Sequence, residues 1–136
     1  MIAGFMGALE DLGDINKNLL SVNELNIYAR NKFLESGFAV INSPEDALPF
    51  ILNISVKGYR SETLLHFLES RGIFVSSGSA CAKGEASYVL SALGLDKKHS
   101  DSALRLSFSK NNTKEDIDLT VAALEEATKK LRRSDI

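Results

Sequence analysis

An α/β (α+β) layer fold, a small mixed β-sheet covered by helices, is what this sequence predicts, and three observations predict it. Short β-branched or aromatic runs alternate with segments of helical periodicity. Breakers such as Gly37, Pro44, Pro49, Gly72 and Gly94 fall between those segments. Internal repeats and low-complexity stretches are absent. A chain of 136 residues, 44% of them hydrophobic, can bury one proper apolar core, so residues 1–136 read as a single domain.

The elements follow in order. Ile15, Leu19, Val22, Ala29 and Phe33 recur at helical spacing, which predicts an amphipathic helix from Asp14 to about Ser36, stopped by Gly37. Phe38 to Ile41 and Phe50 to Val56 read as strands joined by a loop holding Ser43, Pro44 and Pro49. Ser61 is placed to cap a helix carrying Leu64, Leu65 and Leu68, which Gly72 closes in a left-handed conformation. Ile73 to Val75 reads as a short buried strand. Ala86, Val89, Leu90 and Leu93 make one more helical face, ending at Gly94. Ala103 to Phe108 alternates as a strand, and Thr113 to Asp116 resembles a capping box ahead of a long helix bearing Ile117, Val121, Leu124 and Leu131.

Composition narrows the function. The single Cys81 cannot form an internal disulfide or a cysteine metal cluster, and a lone thiol suits a reducing, cytoplasmic setting. A formal net charge of −2 offers no general attraction to nucleic acid or anionic lipid. The basic cluster Lys129, Lys130, Arg132 and Arg133 reads as a helix C-terminus, where cations offset the macrodipole. No apolar run reaches membrane-spanning length, and Met1 to Leu12 has no basic run of the kind that opens a signal peptide.

Two residues stand out chemically. Cys81 lies in a stretch of small and polar residues between a strand and a helix, with Ser76, Ser77, Gly78, Ser79, Ala80 and Gly84 as a mobile loop and Lys83 nearby to favour the thiolate. A buried structural cysteine remains the competing reading. Arg105 sits between leucines in Ala103–Phe108, where a guanidinium of fixed direction suits bidentate capture of a carboxylate. The competing reading there is an arginine on the exposed face of a half-buried sheet. His66 reads as a solvated helix residue and His99 as a loop residue, neither of them catalytic.

Taken in order, Val75-Ser76-Ser77-Gly78-Ser79-Ala80-Cys81, Ser87-Tyr88-Val89-Leu90-Ser91-Ala92-Leu93-Gly94 and Leu104-Arg105-Leu106-Ser107-Phe108 resemble the cysteine desulfurases of the NifS-like branch of the class V aminotransferase superfamily. Asn112 to Asp118, Leu52-Asn53-Ile54-Ser55 and Ile2-Ala3-Gly4-Phe5 fit the same pattern, so the resemblance covers nearly the whole chain.

The resemblance implies the fold of the C-terminal small domain of fold-type I transferases. It also implies a pyridoxal-phosphate enzyme in which the cofactor serves as an electron sink. Cys81 would attack the sulfur of cofactor-bound cysteine and become a persulfide as alanine is released, and Arg105 would hold the substrate carboxylate. The family's cofactor lysine, ring-stacking histidine and pyridine-pairing aspartate belong to a large domain preceding these motifs, so this chain is expected to bind no cofactor and to be inactive alone. The resemblance further implies that the partners are that large domain, a second copy in the full-length homodimer, and sulfur acceptors such as iron–sulfur scaffold proteins or tRNA-thiolation enzymes. A stand-alone persulfide carrier, a structural domain, and a selenocysteine lyase or cysteine-sulfinate desulfinase of the same fold remain open. Met1 to Leu12 is where exposed apolar surface is expected.

Overall fold

Asp14 opens the longest helix. The computed structural model describes residues 2–77 and 88–134, and in it a short helix α1 (Ile2–Asp11) precedes α2 (Ile15–Ser36). The Asp14 carboxylate accepts the Lys17 backbone N–H at 3.1 Å, satisfying one of the unpaired donors of the first turn. At the other end Gly37 takes φ 70°, a left-handed conformation that its missing Cβ makes inexpensive.

The chain then forms β1 (Ala39–Ile41), β2 (Ile51–Val56), α3 (Ser61–Glu69), β3 (Ser76–Ser77), α4 (Tyr88–Ala92), α5 (Lys97–Asp101), β4 (Ala103–Ser107) and α6 (Lys114–Lys130). The strands make one sheet in the order β1-β2-β4-β3. The layer architecture expected from the sequence is present. Its three pairings are all antiparallel, where a mixed sheet was expected.

Leu52, Ile54 and Val56 of β2 and Leu104 and Leu106 of β4 point to one face, where they meet Val22, Leu25, Ala29 and Phe33 of α2, Leu64 and Leu68 of α3, and Ile117, Leu124 and Ala127 of α6. Phe33, Leu52, Ile54, Leu64, Leu68, Leu104 and Leu124 are fully enclosed. At about 1.5–3 kcal/mol for each buried large apolar side chain, this face is the main source of the fold's stability. The capping box is present at α6, where Thr113 Oγ1 accepts from the Asp116 backbone N–H at 3.3 Å and Asp116 accepts from that of Thr113 at 3.0 Å.

Several expectations shift. Ile15 and Leu19 do not cover the core. They are 61% and 40% exposed, and Ile15 lines a surface hollow with Ala8, Leu12, Phe50 and Phe108. Ser61 is the first residue of α3 and is buried. Arg60 occupies the cap position, without a side-chain bond. Gly72 is left-handed at φ 73°, though it closes the turn after the helix rather than the helix itself.

Ile73 and Val75 pack half-buried against the core, and the strand expected there forms at Ser76–Ser77. Val89 and Leu93 of the expected apolar face are exposed, while Leu90 is buried. Ala86 lies outside the described residues. His99 belongs to α5, whose cap is Asp96, rather than to a loop. The apolar side chains of Phe5, Met6, Leu9 and Leu12 are exposed as expected. Among the described residues no helix is long and apolar enough to cross a membrane.

Candidate functional site

Side chains alternate across a strand, so the residues between the core-facing leucines point to the opposite face of the sheet. On β4 these are Ala103, Arg105 and Ser107, and on β2 they are Ile51, Asn53 and Ser55. The register brings polar residues into one transverse line. Asn42, just past β1, donates its backbone N–H to the Asn53 carbonyl at 2.9 Å, Asn53 stands opposite Arg105, and Arg105 stands opposite Ser76. The row Asn42, Asn53, Arg105 and Ser76 therefore crosses all four strands.

The middle pair is the close kind. Phe108 donates to the Phe50 carbonyl at 2.8 Å and Val56 to that of Ser102 at 3.2 Å. These bonds set the alternation that leaves Asn53 and Arg105 as a non-hydrogen-bonded pair, with Cα atoms about 4.5 Å apart and side chains adjacent. Arg105 is exposed on this face. Among the described residues no carboxylate pairs with its guanidinium.

Asn53 is held from the other side. Asn42 Nδ2 donates to Asn53 Oδ1 and to Ser55 Oγ, each at 2.7 Å, and Ser55 Oγ donates to the His99 carbonyl at 2.7 Å. The Asn53 backbone N–H donates to Ser43 Oγ at 2.8 Å. Ser43 and Pro44 are in turn fixed through their carbonyls, which accept from the Arg30 guanidinium at 3.0 and 2.7 Å. A hollow of about 660 Å³ lies beside this clamp, lined by Asn26, Arg30, Ser43 and Pro49 among others; Arg105 is not part of its wall. Two of its polar side chains are committed to backbone carbonyls, Asn26 to that of Pro49 and Arg30 to those of Ser43 and Pro44.

Of the site residues expected from the sequence, Arg105, Ser76 and Ser77 are described. Ser76 and Ser77 form β3 rather than the start of a loop, with Ser77 buried. Cys81, Gly78, Ser79, Ala80 and Gly84 lie outside the described residues. Arg105 and Ser76 are cross-strand neighbours, and Cys81 follows Ser76 by five residues, a chain reach of roughly 17 Å at most. The sequence reading passed over Asn42, and gave Asn53 and Ser55 a place in the family pattern but no role in the site. Their signal was the period-two interruption of an apolar run, Leu52, Asn53, Ile54, Ser55.

A Schiff-base lysine must be available in its neutral form. The described lysines are exposed apart from half-buried Lys32. Lys32 is pushed the other way: its hydrogen bonds to Tyr28 and then to Asp118 raise its pKa and hold it charged. Tyr28 Oη donates to Asp118 at 2.9 Å, so the three groups tie α2 to α6. None of the described lysines fits pyridoxal phosphate. Among the described residues no group of three or more His, Cys, Asp or Glu is placed to hold a metal ion.

A small antiparallel sheet backed by helices, with an arginine opposite the strand that leads into a cysteine-bearing segment, has relatives. The family model for class-V aminotransferases matches residues 2–120, and the chain belongs to that family. Its particular likeness is to the NifS-like cysteine desulfurases. It is 41% identical over 97 residues to cysteine desulfurase IscS of Clostridium botulinum, a match covering 68% of this chain and 24% of that one. It is 36% identical over 126 residues to IscS of Proteus mirabilis, covering 90% and 30%.

Among solved structures it is similar to a NifS-like protein, with a TM-score of 0.75 and 28% identity over 88% of this chain and 30% of that one. It is also similar to the cysteine desulfurase CsdA of Escherichia coli, determined as an S-sulfonic acid, with a TM-score of 0.71 and 25% identity over 92% and 29%. The chain spans between 24% and 30% of the length of these four relatives.

Proposed function

We propose that this chain is the carboxylate-binding and sulfur-accepting part of a cysteine desulfurase. Arg105 grips the carboxylate of L-cysteine through its fork of N–H donors. Cys81, as the thiolate, takes the substrate sulfur as a persulfide, and the carbon skeleton leaves as L-alanine. The observation that carries this reading is the register of β3 against β4, which sets Ser76 opposite Arg105 only five residues ahead of Cys81.

The chemistry of breaking the carbon–sulfur bond needs the electron sink that pyridoxal phosphate provides. Because no described lysine suits that cofactor, the reading assigns its binding to a separate large domain, with a homodimer and a sulfur-acceptor protein as further partners. Arg105 would serve the carboxylate of selenocysteine or cysteine sulfinate equally, and the reading takes cysteine from the likeness to named cysteine desulfurases.

The test is reconstitution. The chain is mixed with a separately produced large domain, pyridoxal phosphate and L-cysteine, and alanine release is followed. Full activity requires both parts, is lost in Cys81→Ser, and falls sharply in Arg105→Ala. Alanine release unaffected by Cys81→Ser would overturn the reading. The chain alone, titrated with pyridoxal phosphate, is expected to give no stoichiometric Schiff-base absorbance band.

A further inference from the structure

The orientation of the Asn53 amide follows from the bonds around it. Ser55 Oγ gives its only hydrogen to the His99 carbonyl, so towards Asn42 it can only accept. The Asn42 atom facing Ser55 is therefore its Nδ2, and the same Nδ2 reaches the Asn53 side chain at 2.7 Å. The Asn53 atom that receives it is Oδ1. This orientation leaves Asn42 Oδ1 buried without a donor among the described residues.

Asn53 Nδ2 is thus turned away from Asn42. It finds no acceptor among the described residues, although the residue is only 9% exposed. Its cross-strand neighbour on the same face is Arg105, which offers donors alone. Two adjacent donor groups, one neutral and one cationic, cannot bond to each other and are complementary to one anionic acceptor placed over both.

We infer that Asn53 Nδ2 donates the second hydrogen bond to the carboxylate that Arg105 binds, an inference that rests on the carboxylate reading of Arg105. The guanidinium carries the charge, and the amide fixes the rotation of the carboxylate in its plane. The bond from Asn42, itself anchored on Ser55, holds that amide, and Ser43 Oγ, accepting the Asn53 backbone N–H, holds the strand beneath it before ligand arrives, which lowers the rotamer cost of ordering it on binding.

Titration of the whole chain with propionate at constant ionic strength, followed by nuclear magnetic resonance of the Asn53 Nδ2 and Arg105 Nε protons, tests this. Both sets of resonances are expected to move with one dissociation constant. Asn53→Ala is expected to weaken propionate about tenfold, the loss of one hydrogen bond to a charged group. Asn53→Asp keeps the acceptor for Asn42 and turns a carboxylate onto Arg105. It is expected to abolish propionate binding while unfolding at no lower temperature than Asn53→Ala.

Propionate binding unchanged in both Asn53 variants but lost in Arg105→Lys would overturn the role of Asn53 and leave that of Arg105 standing. Binding unchanged in Arg105→Lys would overturn the carboxylate reading itself. No resonance shift in the unaltered chain would overturn both.

Discussion

The two faces of the sheet are built from alternate residues of the same strands and do opposite work. Leu104 and Arg105 are neighbours in the chain, yet Leu104 is fully enclosed beneath α2, α3 and α6 while Arg105 stands exposed on the other side. On the first face side chains are interchangeable in chemistry and constrained in volume. On the second they are constrained in chemistry, because each donor must find its acceptor. The contrast separates what holds the fold from what the fold presents.

The largest effect expected is on the enclosed side. Leu104→Ala leaves a cavity that the surrounding leucines cannot fill, and should cost about 2–5 kcal/mol in urea-induced unfolding. Arg105→Ala, one position along, should change that stability by less than about 0.5 kcal/mol while removing carboxylate binding. Equal losses at the two positions would break the distinction between the faces.

Next comes a polar residue that is as buried as the core. Ser55 is 0% exposed and links the Asn42 amide to the His99 carbonyl. Ser55→Ala takes one hydrogen bond from each, leaving the Asn42 amide its bond to Asn53 and the His99 carbonyl that from Ser102, and should cost about 1–3 kcal/mol. It should also free the Asn53 amide to turn, which the line width of its Nδ2 resonances would report. A smaller loss, about 1 kcal/mol, is expected for Thr113→Ala, since half of the α6 capping box goes while the packed face of that helix remains.

How much of this was legible beforehand differs between the faces in the same way. Apolar periodicity located α2, β1, β2, β4 and α6 to within a residue or two, and Asp14, Gly37 and Thr113 gave three of their ends. What periodicity does not contain is how far the core extends along a helix, so Ile15 and Leu19 were assigned to it and stand outside. Nor does it contain the register. Asn42, Asn53, Arg105 and Ser76 come from four separate strands or strand ends, and only the pairing of those strands aligns them. Arg105 was visible as an oddity in a leucine run, whereas Asn53 gained its meaning from its neighbours. Ile73 and Val75 misplaced β3 because half-buried apolar residues beside a strand look the same in sequence as residues within it.

The smallest effect expected lies at α5, which closes part of the polar face through the Ser55 to His99 bond. Its cap is Asp96, whose Oδ1 accepts the His99 backbone N–H at 2.9 Å and contacts the His99 ring at 2.8 Å. The backbone bond first, and the ring contact after it, hold the Asp96 carboxyl below its ordinary value of 3.8. A carboxyl whose pKa is lower folded than unfolded contributes stability that is complete above the unfolded value and is lost as pH falls through the folded one. The α5 cap should therefore be intact at neutral pH and loosen only below about pH 4. Asp96→Asn keeps an acceptor for the His99 N–H without the titration. Amide exchange at Ser100 and Asp101, followed from pH 6 down to pH 3, should accelerate beyond its intrinsic pH dependence in the unaltered chain and not in Asp96→Asn. If the two chains follow the same curve, the end of the polar face is held by Ser55 and Ser102 instead, whose hydroxyls donate to the same His99 carbonyl and carry no charge to lose.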